Sequence, residues 1–135
     1  MFERIDHVGI AVSELDPALD LYSSRFDCDV VHREVLEHES VEAALLAAGD
    51  GRLELVAPLA AGTALTRFLD RRGPSVHHVA YAVADIDAAI AVLRERGVEM
   101  IDDVARPGIG GSRVAFVHPK SSLGVLTELV EHPER

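Results

Sequence analysis

The segment SVHHVAYAV, residues 75–83, repeats RIDHVGIAV, residues 4–12, and this repetition decides the fold. When the chain is shifted by 71 residues, segments 6–22 and 77–93 align with six identities in 17 pairs. The identical pairs are His7 with His78, Val8 with Val79, Ala11 with Ala82, Val12 with Val83, Asp16 with Asp87 and Ala18 with Ala89. Because a repeat of this kind indicates a duplicated structural unit, we expect two copies of one module.

The two copies also end alike. RLELVAP closes the first half and LTELVEH the second, so Glu54 corresponds to Glu128. The separation between His and Glu is 47 residues in the first copy and 50 in the second. Loops absorb a difference of this size, so the repeat covers nearly the whole chain.

Each copy follows the same pattern of one strand, one helix and three further strands. The first copy predicts a strand at 4–12 and a helix that starts at Asp16-Pro17 and keeps helical spacing to about residue 26. Its other strands are expected near 28–34, 40–47 and 52–57, with a turn at Gly49-Asp50-Gly51. The second copy predicts a strand at 76–83, a helix at 85–96 ending at Gly97, and strands near 98–103, 112–118 and 124–130.

These elements predict an α+β fold in a single domain, residues 1–135, built from two tandem βαβββ modules. The modules span about 4–58 and 75–132, and a linker helix covers about 62–72. If the two four-stranded sheets pair about a pseudo-twofold axis, a cleft forms between them. Each duplicated residue would then appear on both walls of that cleft.

The composition narrows the function classes. Thirteen basic against 23 acidic residues give a net charge of -10, which disfavours binding to nucleic acid or to an anionic membrane. Cys28 is the single cysteine, so no internal disulfide is possible. The N-terminus enters a strand pattern directly, and no apolar run approaches a membrane span. We therefore expect a cytoplasmic protein that binds either a small molecule or another protein.

The duplicated polar residues predict a metal site made of His7, Glu54, His78 and Glu128. Two imidazoles and two carboxylates suit a divalent ion such as zinc, cobalt, nickel or manganese. Four protein ligands on a six-coordinate ion leave two open positions, as a catalytic metal requires. The alternative is that the histidines are packed, hydrogen-bonded core residues and the glutamates face solvent, since duplication alone would also preserve them.

His77 competes with His78 for the role of ligand. The repeat places His78 opposite His7 and His77 opposite Asp6, so His78 is the predicted ligand. Strand alternation turns His77 to the other face of the sheet. His32, His38, His118 and His132 have no repeat partner and are predicted to be surface or loop residues.

The chain resembles the vicinal oxygen chelate superfamily (glyoxalase/bleomycin resistance), and within it the methylmalonyl-CoA epimerases. The resemblance is carried by IDHVGIAV, FLDRRGPSVHHVAYAV and RPGIGGSRVAFVHPKSSLGVLTELVE, and the last of these is the most specific. It implies metal ligands at His7, Glu54, His78 and Glu128. It also implies epimerisation of (2R)- and (2S)-methylmalonyl-CoA by abstraction of the C2 proton, through a metal-stabilised enolate.

Inversion at C2 is most simply achieved by two acid/base groups on opposite faces of that carbon. Glu128, ligand and proton carrier, is the predicted catalytic residue for one face. For the other face of C2, some epimerases carry a glutamate at the position where this chain has Ala43. Glu42, Glu39 and a metal-bound water remain alternatives.

Lys120 is predicted to bind the CoA thioester substrate. Arg106 and Arg113 are further candidates, because each places positive charge in or near a glycine-rich loop. A homodimer is expected from the fold family.

The residues are also compatible with two other functions. A glyoxalase I-type lyase uses the same ligand set, although HPKSSLGV differs from the turn that such enzymes usually have. A drug- or ligand-binding member of the fold would need no metal, and the presence of all four ligand residues disfavours it.

Overall fold

The computed structural model describes residues 1–133, which divide into two compact units. The N-terminal unit is Val8–His77, and the C-terminal unit joins Met1–His7 to the chain from His78 onward. These units follow spatial contacts, whereas the modules at about 4–58 and 75–132 follow the sequence repeat. The module boundaries therefore stay a prediction.

The N-terminal unit has the predicted order of elements. It contains the second half of β1 (Arg4–Ala11), then α1 (Leu15–Phe26), β2 (Asp29–Leu36), β3 (Val41–Ala48), β4 (Gly51–Pro58) and the linker helix α2 (Ala64–Arg72). Its strands lie in the order β2-β3-β4-β1. The β1–β4 pair is parallel, while β2–β3 and β3–β4 are antiparallel. A short 3-10 turn, Glu37–Glu39, joins β2 to β3.

The core of this unit lies between α1 and one face of β3 and β4. Leu15 and Leu19 of α1 pack with Leu46 and Leu55, and both strand residues are fully buried. Side chains alternate between the two faces of a strand, so the neighbouring Glu54 points to the face away from α1. Pro17 lies in the first turn of α1, where its missing N–H leaves no helical hydrogen bond unmade.

The C-terminal unit repeats the arrangement. It contains β5 (Ser75–Ala82) from His78 onward, α3 (Ile86–Glu95), the two-residue β6 (Arg106–Pro107), β7 (Arg113–Val117) and β8 (Thr127–Glu131), in the strand order β5-β8-β7-β6. The β5–β8 pair is parallel, as β1–β4 is. Ile86 and Ile90 of α3 pack with Leu129 of β8, all three buried.

The strand predicted near 98–103 does not form. Met100 makes an isolated bridge to Val117, and the backbone of 101–102 donates to the carbonyl of Phe116. The Asp102 carboxylate accepts the Phe116 N–H at 2.8 Å, so a side chain takes the donor that a continuous ladder would use. The second strand of this module is instead the short β6.

The fold class is confirmed: strand, helix and three further strands occur twice, in a glyoxalase-like α+β fold. Observed boundaries differ from the predicted ones by about one to three residues for the remaining elements, as is usual at element ends. Within residues 1–133, no helix combines the length and apolar character that crossing a membrane requires.

Candidate metal centre

Two buried histidines lie at the centre of the site. His7 lies in β1 and His78 in β5, at positions related by the repeat, and each is 3% exposed. Their Nε2 atoms lie 3.2 Å apart, and the two rings are nearly perpendicular, at 87°. The structure therefore brings together the two histidines that the repeat singled out.

Glu128 joins these histidines from β8. Its carboxylate oxygen Oε1 lies 3.2 Å from Nε2 of His7 and 3.6 Å from Nε2 of His78. The parallel register of β5 and β8 places Glu128 beside Ala80, two residues after His78 and therefore on the same face. Glu128 is 6% exposed, so the predicted solvent-facing alternative does not hold for this residue.

The three residues fit a divalent metal ion. Ligands held at about 2.0–2.2 Å from one ion lie on the order of 3 Å from each other, close to the separations between the three ligand atoms. Neutral imidazole and carboxylate are ordinary ligands for zinc and similar ions. His7 and His78 also belong to a group of buried residues whose donor atoms could hold a metal ion.

Asp6 orients the first histidine. Its carboxylate accepts a hydrogen bond from Nδ1 of His7 at 2.8 Å and contacts Nε2 of His132 at 2.6 Å. With the Nδ1 proton directed at Asp6, the Nε2 lone pair of a neutral His7 points toward His78 and Glu128. Burial raises the pKa of Asp6, but the hydrogen bonds from His7 and His132 outweigh it and hold that pKa far below its usual range.

An aromatic ring of β7 and a guanidinium of β6 extend the site. Phe116 packs edge-on against His78, with ring centroids 5.5 Å apart, and is the register partner of Glu128. The guanidinium of Arg106 lies 5.4 Å from the centre of the Phe116 ring. Arg106 also pairs with Asp102, at 3.2 Å. Positive charge is thus placed one aromatic ring away from a candidate metal ligand.

Glu54, the fourth predicted ligand, belongs to the N-terminal unit. It lies in the middle of β4 and is 7% exposed, which is unusual for a carboxylate and excludes a solvent-facing role. Its register partner on β1 is Gly9, two residues after His7. The same relation holds for Glu128 and Ala80, two residues after His78. The two halves of the chain therefore share this strand pairing, β1 with β4 and β5 with β8, as well as their sequence pattern.

The other predicted residues have separate surroundings. The ring of His77 packs edge-on against Phe68 of α2, at 4.8 Å between centroids, as expected for the opposite face of β5. Lys120 lies in the 3-10 turn Pro119–Ser121, is exposed, and pairs with Glu99. Its role in substrate binding stays a prediction.

Arg113 is directed away from Phe116. Both of its terminal nitrogens bond the carboxylate of Asp87 in α3, at 3.0 and 2.9 Å. Because Arg113 and Phe116 are an odd number of residues apart on β7, they project from opposite faces. Of the three cations in this part of the chain, Arg106 lies beside the candidate site.

The strand register also settles the position of Ala43. Ala43 pairs with Val56, two residues after Glu54, so it shares a face with Glu54. Glu42 projects from the opposite face, where it pairs with Arg33 at 3.0 Å. The alternative in which Glu42 takes the place of the missing glutamate is therefore wrong.

The sequence patterns do not indicate Asp6, His132 or Phe116 as site residues. They predict that His132 is a surface or loop residue, but it contacts Asp6 across 126 residues of chain. The position of Asp6 directly before a predicted ligand is the one sequence signal for it. His132 and Phe116 have no comparable signal.

Comparison with known proteins identifies the family of the chain. A model of the Glyoxalase/Bleomycin resistance protein/Dioxygenase superfamily matches residues 6–116. The ethylmalonyl-CoA/methylmalonyl-CoA epimerase of Cereibacter sphaeroides is 33% identical over 96% of this chain and 98% of its own.

Two solved structures are similar over nearly the whole chain. The crystal structure of methylmalonyl-CoA epimerase from Mycobacterium tuberculosis has a TM-score of 0.94 and 39% identity, covering 98% of this chain and 90% of the other. A methylmalonyl-CoA epimerase in complex with methylmalonyl-CoA and NH4+ has a TM-score of 0.95 and 39% identity, covering 98% and 96%. The chain therefore belongs to the glyoxalase/bleomycin resistance superfamily and, within it, to the family of the methylmalonyl-CoA epimerases.

Proposed function

We propose that this chain is a metal-dependent isomerase that interconverts the two C2 epimers of methylmalonyl-CoA. The observation that carries the proposal is the buried cluster of His7, His78 and Glu128, whose ligand atoms lie 3.2 to 3.6 Å apart. Relatives named as epimerases of this substrate, one of them solved with methylmalonyl-CoA bound, support the substrate class.

His7, His78 and Glu128 would hold the metal ion, and Glu54 would supply the fourth ligand. The burial of Glu54 and its pairing with Gly9, which matches the pairing of Glu128 with Ala80, support its inclusion. Cobalt, zinc, manganese and nickel all suit two imidazoles and two carboxylates. When bound, the ion supplies Lewis acidity toward the thioester and carboxylate oxygens of the substrate.

Glu128 is the proposed acid/base on one face of C2. In one direction its carboxylate accepts the C2 proton, and the electron pair of the broken C–H bond delocalises into the thioester carbonyl. A second acid then protonates C2 from the opposite face, which inverts the centre. His7, His78 and Glu128 are buried, and their burial excludes water. Charge that develops on the substrate is therefore screened little.

Two cations are proposed to contact the anionic substrate. Arg106 lies over Phe116, which itself contacts His78, and this proximity supports a contact with the methylmalonyl carboxylate. Lys120 is exposed on its turn and is suited to the CoA phosphates. Local positive charge matters here because the chain carries a net charge of -10.

Exchange of the C2 hydrogen tests the proposal. Protein loaded with cobalt is incubated with C2-deuterated methylmalonyl-CoA of one configuration, and loss of deuterium and formation of the other epimer are followed. We expect both with loaded protein and neither with chelated protein. Retention of the label by loaded protein would contradict the proposal. Turnover of a glutathione hemithioacetal by the same sample would favour the glyoxalase-type lyase.

Metal content distinguishes the epimerase and the glyoxalase-type lyase from a ligand-binding protein of this fold. We expect one ion per chain after dialysis, and loss of that ion in His78→Gln. A chain that binds no divalent metal would favour the non-catalytic member of the superfamily.

We further propose that the protein acts in the cytoplasm as a homodimer. Exposed apolar side chains, among them Ile5, Val76 and Val125, support association with a second copy. The molar mass measured by light scattering during gel filtration tests this: twice the 14.6 kDa of one chain is expected.

A further inference from the structure

We propose that His132 is a positioning residue of the candidate metal centre, which acts through Asp6 on the orientation of His7. This inference rests on the metal site of the proposed function, but not on the identity of the substrate. His132 directly follows β8, and all three residues belong to the C-terminal unit.

Asp6 bridges the two histidines with its two carboxylate oxygens. Nδ1 of His7 donates to Oδ2 at 2.8 Å, and Nε2 of His132 lies 2.6 Å from Oδ1. Because an ionised carboxylate only accepts hydrogen bonds, each imidazole presents an N–H to it. The contact at Oδ1 therefore holds the carboxylate in the orientation in which Oδ2 faces His7.

The backbone alone does not set this orientation. Asp6 and His7 are neighbours on β1, and the side chains of neighbouring strand residues start toward opposite faces. The Asp6 carboxylate therefore has to turn toward the ring of His7, and rotation about its two side-chain bonds would turn it away again. A second contact, at the oxygen that His7 does not use, removes this freedom.

Arg4 is a weaker partner for the same oxygen. Its Nη2 lies 3.6 Å from Oδ1 of Asp6, beyond hydrogen-bond distance, and its side chain is 56% exposed. The Asp6 side chain is 6% exposed, and a buried carboxylate needs hydrogen-bond donors in place of water. Within residues 1–133, loss of the His132 ring thus leaves Oδ1 without a close donor.

The charge of Asp6 supports this role. Burial raises the pKa of Asp6, but the hydrogen bonds from His7 and His132 outweigh it and hold that pKa far below its usual range. Asp6 is therefore ionised at neutral pH, as an acceptor of two N–H groups has to be. A carboxylate behind a metal-binding histidine fixes its tautomer and raises its basicity, so the placement of Asp6 affects the affinity for metal.

The end of β8 is anchored independently of His132. The carboxylate of Glu131 accepts the N–H of Ile86, the first residue of α3, at 2.9 Å. Replacement of the His132 ring therefore leaves the neighbouring backbone tied to α3. A change in metal affinity can then be attributed to the contact with Asp6 rather than to displacement of Glu128, four residues earlier.

Metal affinity tests the role of His132. His132→Phe keeps a ring but removes both nitrogens, and we expect its affinity for cobalt to fall about 3- to 10-fold. This loss is smaller than that expected for Asp6→Asn, because His132 lies one contact further from the metal. Competition with a chromophoric chelator measures both values.

Two further variants accompany His132→Phe. The side-chain amide of His132→Gln can donate to Oδ1 of Asp6, so this variant should recover most of the affinity. His38→Phe makes the same replacement in the exposed turn Glu37–Glu39 of the N-terminal unit and should leave the affinity unchanged.

A double variant tests whether His132 acts through Asp6. If it does, the two losses do not add, and Asp6→Asn with His132→Phe should bind cobalt within about twofold of Asp6→Asn alone. A double loss equal to the product of the single losses would overturn the proposal. Unchanged affinity in His132→Phe would overturn it as well.

The tautomer of His7 provides a readout without metal. In a neutral imidazole one nitrogen carries the proton, and two-bond proton–nitrogen NMR spectra of protein with labelled histidine show which one. In alkaline buffer without metal, we expect the Nδ1–H form in the unchanged protein. His132→Phe should show a mixture with the Nε2–H form, and His132→Leu replaces it if it does not fold.

The same His7 tautomer in the unchanged protein and the variant would contradict the role of His132. The failure of the proposed function is a separate result. If the unchanged protein binds no cobalt, the proposed metal site fails, and the tautomer of His7 alone decides the role of His132. If it binds cobalt but exchanges no C2 deuterium, the epimerase assignment fails while the affinities still test His132.

Discussion

Asp6 holds the imidazole of His7 through a 2.8 Å hydrogen bond to Nδ1, and this contact directs Nε2 toward His78 and Glu128. A carboxylate behind a metal-binding histidine fixes its tautomer and raises its basicity. The second carboxylate oxygen of Asp6 contacts His132, so two histidines hold one buried carboxylate. The candidate metal centre thus has a supporting layer as well as ligands.

Replacement of Asp6 tests this supporting layer. Asp6→Asn keeps the size of the side chain but removes its charge, so we expect affinity for cobalt or zinc to fall about 10- to 100-fold. Competition with a chromophoric chelator measures this affinity. Asp50→Asn, in the exposed turn between β3 and β4, is the control and should leave it unchanged. Unchanged affinity in Asp6→Asn would show that Asp6 has no such role.

The adjacent histidines of β5 provide a matched pair of variants. His78→Gln removes a predicted ligand, so we expect loss of bound metal and of epimerisation. His77→Gln removes a ring that packs on Phe68, on the other face of the strand, and should retain both. Metal analysis of the two purified variants decides the matter. Equal metal loss in both would contradict the assignment of His78.

Arg106 and Lys120 should differ in the part of the substrate that they recognise. Arg106→Gln is expected to raise KM for methylmalonyl-CoA and for a methylmalonyl thioester of pantetheine alike, because Arg106 lies near His78 through Phe116. Lys120→Gln should raise KM for the CoA thioester alone, since pantetheine lacks the CoA phosphates. Steady-state kinetics with both thioesters measure this difference. An effect of Lys120→Gln on the pantetheine substrate would contradict it.

The ion pair between Asp87 and Arg113 predicts a pH dependence of stability. Hydrogen bonds from Arg113 lower the pKa of Asp87 in the folded chain, so the charged carboxylate stabilises the fold above the ordinary aspartate pKa of about 4. This contribution is lost as the pH falls through the lower, folded-state pKa. Both groups are exposed, so the effect should be small and should decrease in salt.

Thermal unfolding of Asp87→Asn checks this sign. Its Tm should lie slightly below that of the unchanged protein at pH 7, and the difference should shrink toward pH 2. Asp20→Asn, on the exposed surface of α1, is the control and should show no such trend. A gap that widens in acid would contradict the prediction.

Local patterns explain why most of the fold could be predicted. The strand at Arg4–Ala11 and the helix at Leu15–Phe26 follow from periodicity and from Pro17 in the first turn, which are properties of neighbouring residues. The prediction of a strand at 98–103 is wrong because a contact between distant residues decides the structure there. Its residues are suited to a strand, but the Asp102 carboxylate takes the Phe116 N–H, a contact that no local pattern reveals.

The sequence by itself determined the duplicated order of elements and singled out His7 and His78 as equivalent residues. It did so because repeats and alternation are written in short stretches of chain. The tertiary structure alone decided that His132 contacts Asp6, that Phe116 packs on His78, and that Glu42 and Ala43 project from opposite faces. The physical reason is that strand register and contacts between distant residues depend on how the strands pair, and a shift of one residue exchanges the two faces.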